Sequence, residues 1–91
     1  MASKFQNKKI NEYKKKGYTV IKTIRLNVNG YPDLFLLKQG LTYFREIKEG
    51  NDKLSELQKL RIDQLISNGF DACAIHETKG VIYPLNYTDE L

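Results

Sequence analysis

Apolar positions in this chain recur first at helical spacing, then at strand spacing, then at helical spacing again. Ser3 caps a predicted helix that runs to about Lys16, where Gly17 followed by apolar Tyr18 has the form of a helix stop. At 100° per residue, Phe5, Ile10 and Tyr13 fall within about 140° of the helical wheel, and Glu12 lies about 20° outside Phe5 at the edge of that stripe. Thr19 to Val28 is rich in β-branched residues and predicts a strand ended by Asn29-Gly30. Tyr31-Pro32 forces extended backbone into Asp33 to Lys38, whose apolar run Leu34 to Leu37 predicts a strand covered on both faces. Gln39-Gly40 turns the chain into a third strand, Leu41 to Glu49.

A loop at 50–53 leads to the second helix. Ser55-Glu56-Leu57-Gln58 has the form of a capping box, Leu54, Leu57, Leu60/Arg61 and Leu65 keep helical spacing to Asn68, and Gly69-Phe70 repeats the stop seen at Gly17-Tyr18. Asp71 to Glu77 predicts a fourth strand, and Val81 to Leu85 a last one that Pro84 confines to a sheet edge. The tail from Asn86 to Leu91 reads as loose. The predicted order is α-β-β-β-α-β-β, an α/β chain forming one domain over residues 1–91, without internal repeat or low-complexity linker.

Length and charge narrow the chemistry. A 91-residue chain buries only a little over ~60% of its unfolded surface, so its core is thin and a partner copy is expected. The apolar run at Leu34–Leu37 is far short of the roughly 18 residues of a membrane span, and Met1-Ala2-Ser3-Lys4 does not open a signal peptide; a soluble, intracellular chain is expected. Cys73 and His76 are the only residues of their types, so an internal disulfide and a four-ligand Cys/His zinc site are excluded within one copy. Hard-metal chemistry on carboxylates remains. Residues 1–16 carry Lys4, Lys8, Lys9, Lys14, Lys15 and Lys16 against Glu12 alone, while the rest of the chain is close to neutral. Such clustering suits a polyanion such as nucleic acid, or equally a solvated helix face.

The hairpin register brings two carboxylates together. A two-residue Gln39-Gly40 turn pairs Lys38 with Leu41 and therefore Asp33 with Glu46, on one sheet face with Cβ atoms roughly 4.5–5.5 Å apart. Lys48, two residues on, shares that face. Opposed carboxylates repel unless a cation lies between them, and Mg²⁺ or Mn²⁺ is typically held by one or two carboxylates, water and a substrate phosphate. Lys48 would then orient or deprotonate an attacking water, or neutralise charge on the phosphate. The competing reading has Asp33 capping the turn after Pro32 while Glu46, Lys48 and Glu49 form exposed ion pairs worth ~0–1 kcal/mol.

Gly30-Tyr31-Pro32-Asp33-Leu34, Phe44-Arg45-Glu46-Ile47-Lys48 and Leu54-Ser55-Glu56-Leu57-Gln58 stand in the order, and resemble the form, of the Gly-x-Pro-Asp-Leu, Glu-Val-Lys and Ser-x-x-Gln pattern of the virus-type replication-repair nuclease (VRR-NUC) domain. That domain is part of the PD-(D/E)xK nuclease superfamily, and the likeness covers about residues 8–77. The resemblance implies a restriction-endonuclease-like αβββαβ core with a mixed central sheet flanked by helices, here with a C-terminal edge strand. It implies that Asp33 and Glu46 bind Mg²⁺ or Mn²⁺, that the backbone carbonyl of Ile47 adds a ligand, that Lys48 serves the nucleophilic water, and that Gln58 faces the site. Helix-one glutamates act in relatives, which suggests Glu12; exposure to solvent is the alternative for Glu12, and a purely capping role is the alternative for Gln58.

The implied activity is metal-dependent hydrolysis of DNA, leaving 5′-phosphate and 3′-hydroxyl ends. Stand-alone members resemble nucleases of Holliday junctions or other branched DNA that work as homodimers, and the short chain resembles phage-encoded forms, which implies a host cytoplasm. The alternative is a basic nucleic-acid-binding module that keeps the fold and does not cut.

Overall fold

The computed structural model describes residues 3–91. Helix α1 spans Lys4–Lys15, strands β1 to β3 span Thr19–Lys22, Leu34–Lys38 and Leu41–Lys48, helix α2 spans Glu56–Ser67, and strands β4 and β5 span Asp71–His76 and Gly80–Tyr83. The strands form one five-stranded sheet in chain order, β1-β2-β3-β4-β5. All neighbours are antiparallel except β3 and β4, which run parallel because α2 carries the chain back between them. This is the mixed sheet with two helices expected of a restriction-endonuclease-like α/β fold.

Local chemistry sets each boundary. Ser3 Oγ accepts the Gln6 N–H at 3.0 Å to start α1, and the Tyr18 N–H reaches back to the Tyr13 carbonyl at 3.1 Å to close it. In α2, Ser55 Oγ accepts from the Gln58 N–H while Gln58 Oε1 accepts from the Ser55 N–H, the reciprocal pair of a capping box. Gln39 and Gly40 both have positive φ, 52° and 79°, as a two-residue turn matched to the strand twist requires. That turn fixes Lys38 opposite Leu41 and Leu34 opposite Arg45, the register expected from the sequence.

Alternation along β3 divides the interior between two helices. Ile47 packs with Leu34, Leu36 and Tyr13 beneath α1, whereas Phe44 packs with Ala72, Ala74 and the α2 residues Ile62 and Leu65 on the other face. Glu46 and Lys48 share the α2 face with Phe44, and Arg45 shares the α1 face with Ile47.

Two expectations are corrected. The first strand ends at Lys22 instead of continuing to Val28. The Thr23 N–H still reaches the Asp33 carbonyl at 2.7 Å, but Pro32 has no N–H to offer and β2 begins only at Leu34, so residues 24–30 lack a partner strand and form a loop. The tail is not loose. Asp89 accepts hydrogen bonds from Tyr13 Oη at 2.9 Å and Arg45 Nη2 at 3.1 Å, and Leu91 packs against the α1-side core. The buried guanidinium of Arg45 draws it in.

Candidate active site

The geometry begins where β2 and β3 part company. The ladder between them ends at Leu34 and Arg45, so Asp33 and residues 46–48 lie just beyond the last pair, with backbone groups no longer used by β2. Asp33 Oδ2 fills part of that gap by accepting the Ile47 N–H at 3.1 Å. The next carbonyl, that of Lys48, turns the other way and accepts the Glu77 N–H from the β4 side at 3.1 Å. Since the N–H and C=O of one strand residue leave on the same side, the Ile47 carbonyl points towards Asp33.

Glu46 is 3% exposed, under the start of α2. Its Oε2 lies 3.6 Å from Lys48 Nζ and accepts a hydrogen bond from Gln58 Nε2 at 3.3 Å. Its Oε1 is buried without any hydrogen-bond partner. Desolvation, and after it the neighbouring Asp33 carboxylate, push the Glu46 pKa up to about 8 against the pull of Lys48. A buried acid with one vacant oxygen beside a second acid is the donor set a hard divalent ion would relieve. Among the described residues no cluster of three or more His, Cys, Asp or Glu side chains is found, so two carboxylates and backbone oxygen are the available protein ligands.

Asp33, Glu46, Lys48 and Gln58 are thus brought together, and the exposed-ion-pair alternative fails for Glu46. Gln58 serves two ends at once: its Oε1 completes the helix cap, which leaves its amide N–H₂ directed at Glu46. Glu12 is not brought into the group by any described hydrogen bond or ion pair. Its carboxylate, 40% exposed, lies 3.1 Å from Lys9 Nζ on α1, the helix of the opposite face. His76 is buried next to Lys48 in the β3–β4 register, but both ring nitrogens are engaged: Nδ1 accepts from the Thr78 N–H at 3.2 Å, and Nε2 donates to the Gly50 carbonyl at 2.8 Å.

The sequence reading missed Arg45, which is fully buried on the face away from Glu46. Nη1 lies 2.6 Å from Asp71 Oδ1 and Nη2 lies 3.1 Å from Asp89 Oδ1, with the Tyr87 hydroxyl bridging to Asp71. Burial opposes the charge on Asp89, yet Arg45 and the Tyr13 hydroxyl hold its carboxyl below the ordinary carboxylate range. The signal was present, because placing Glu46 and Lys48 on one face puts Arg45 on the other.

An Asp just before β2 and a Glu-x-Lys on β3 thus converge where the ladder ends, on a mixed sheet of the restriction-endonuclease-like class. The model of the VRR-NUC domain family matches residues 3–78, and the chain belongs to that family. A search of curated proteins finds no match. No helix among the described residues is long and apolar enough to cross a membrane.

Proposed function

We propose that this chain is a divalent-metal-dependent endonuclease that hydrolyses phosphodiester bonds in branched DNA, such as Holliday junctions, with Mg²⁺ or Mn²⁺ as cofactor. The observation that carries the metal requirement is the buried Glu46 carboxyl, its Oε1 unpartnered, facing Asp33. Asp33 and Glu46 would hold the ion with the Ile47 carbonyl as a backbone ligand. When bound, the ion supplies Lewis-acid stabilisation of charge on the phosphate.

The chain's own residues do the rest. Lys48, its ammonium 3.6 Å from Glu46, orients the water that attacks phosphorus in line and offsets the charge that builds on the phosphate oxygens. The bond from phosphorus to the 3′-oxygen breaks, and the proton lost by the water is balanced by the one taken up at the 3′-hydroxyl. Gln58 holds the Glu46 carboxylate through its amide, and the helix cap holds Gln58. The preference for branched DNA and a homodimer presenting two sites follow from the family likeness together with the small core. The same likeness supports a cytoplasmic location.

Incubating the purified chain with labelled four-way junctions, flaps, nicked duplex and single strands, in Mg²⁺, Mn²⁺ or chelator, tests this reading. Cleavage in either metal, absent with chelator and greatest on junctions, is the expected result. Equal binding without cleavage under every condition would instead favour a non-catalytic nucleic-acid-binding module.

A further inference from the structure

The loop between β1 and β2 leads straight into Asp33, and it is built as a cleft. Residues 23–31 with Asp33 line a cavity of about 480 Å³, the scale of a small-ligand site. Both ends of the loop are tied to elements that carry the active site. Thr23 Oγ1 donates to the Pro32 carbonyl at 2.9 Å, and Arg61 Nε on α2 donates to the Asn29 carbonyl at 2.9 Å. Gly30 seats the loop on α2, where any Cβ would come within 2.7 Å of Leu57 Cγ. Leu26 and Val28 roof an apolar cavity above Phe35, Phe44 and Leu65, so the middle of the loop rests on the core.

The cleft is lined by one acid, Asp33 at its active-site end, and one base, Arg25. From Thr19 to Pro32 the chain has no acidic residue and two basic ones, Lys22 and Arg25. Arg45 is neutralised by Asp71 and Asp89, and Arg61 is engaged by Asn29, Gln64 and the face of Tyr31. Arg25 is exposed, lines the cleft and has no hydrogen-bond or ion-pair partner among the described residues. Beside it Ile24 is 89% exposed, an apolar surface at the rim of a polar cleft.

We infer that the β1–β2 loop is a subsite for the DNA strand flanking the scissile bond, with Arg25 holding a backbone phosphate next to the one presented to Asp33 and Glu46. A guanidinium suits this task because its planar fork can take two phosphate oxygens at once. Ile24 then lies against the adjoining sugar or base. The inference rests on the proposed nuclease reading for its substrate, and it is tested by binding as well as by cleavage.

Fluorescence anisotropy of a labelled DNA duplex, titrated with the full chain in chelator over a salt series, isolates the phosphate contact. Arg25→Ala should weaken binding about tenfold and make the slope of log K against log salt shallower by about 0.9, the value for one phosphate neutralised. Arg25→Lys should keep the slope. In the metal-dependent cleavage assay Arg25→Ala should raise KM with kcat within about twofold. Unchanged affinity and slope in Arg25→Ala, with the wild type cutting normally, would overturn the subsite and leave the nuclease reading standing. A wild type that does not cut while Arg25→Ala shows the altered slope would keep the subsite and remove the nuclease.

Discussion

Arg45 and Glu46 are consecutive residues of one strand, both buried, and they meet opposite electrostatic fates. On the α1 face Arg45 has two carboxylates from distant parts of the chain, Asp71 and Asp89, and a tyrosine hydroxyl closing the ring of contacts. On the α2 face Glu46 has a second carboxylate as neighbour, one ammonium at 3.6 Å and an oxygen with no partner. The first arrangement is balanced by two acids of the chain itself, although Arg45 Nε is buried without a partner, and it serves the fold. The second lacks an opposing charge of equal weight, and under the proposed function a divalent cation would complete it. Burial of charge does not by itself separate structural from functional groups; the state of its partners does.

The largest effect should come from the Glu46 side. Asp33→Ala, Glu46→Ala and Lys48→Ala are each expected to lower the cleavage rate by about 10²–10³-fold or more, the range for removing one electrostatic contributor to a transition state. Single-turnover assays on a labelled junction, run beside urea denaturation, measure both consequences. Glu46→Ala should leave stability unchanged or raised, because it removes a poorly paired buried acid, Asp33→Ala should cost no more than the lost contact to the Ile47 N–H, and Lys48→Ala should spare metal binding.

On the Arg45 side the pattern reverses. Arg45→Ala removes the partner of two partly buried carboxylates and should cost about 3–5 kcal/mol of unfolding free energy, read from denaturant midpoints, while any folded protein retains its metal affinity. Equal loss of stability at Arg45 and at Glu46 would break the distinction between the two sides.

Titration separates them by sign. Glu46 has its folded-state pKa raised from 4.5 to about 8, so between those values the folded chain without metal holds a proton that the unfolded chain has lost. Stability should therefore fall as pH rises through that window, with a slope approaching about 1.4 kcal/mol per pH unit, and the slope should vanish in Glu46→Gln or with saturating Mn²⁺. Asp89 has its carboxyl lowered, so its contribution is present above 3.8 and is lost as pH falls through the folded value. Thermal or urea unfolding across the pH range, with and without metal, resolves the two limbs.

The smallest effect expected is at the shared cap. Ser55→Ala should cost about 1 kcal/mol through the lost helix cap and lower cleavage severalfold, because Gln58 is no longer held with its amide towards Glu46. Gln58→Glu, which can keep the capping geometry and cannot donate that hydrogen bond once ionised, should preserve stability better than it preserves cleavage.

Much of this was legible in the chain because the informative contacts are local or fixed by register. Gln39-Gly40 dictates the turn, the turn dictates the pairing of β2 with β3, and that pairing carries Asp33 to Glu46. Ser55 and Gln58 announce their own helix start. What stayed hidden depends on contacts made far along the chain. Asp89 reaches Arg45 across 44 residues, and nothing near Asp89 reveals that partner, so the tail read as loose. The β-branched run after Lys22 has strand propensity, but Pro32 and the late start of β2 deprive it of a neighbour. Glu12 sits at the edge of an apolar stripe, as the wheel predicts, yet the contact it makes is with Lys9 one turn away.

The central claim, that Glu46 keeps a proton beside Asp33 until a divalent ion displaces it, is tested most directly by counting protons. Calorimetric titration of the chain with Mn²⁺ near neutral pH, in buffers of different ionisation enthalpy, should show close to one proton released per ion bound by the wild type and almost none by Glu46→Gln, with binding weakened in that variant. Mn²⁺ binding of equal strength to both proteins, without proton release, would contradict it.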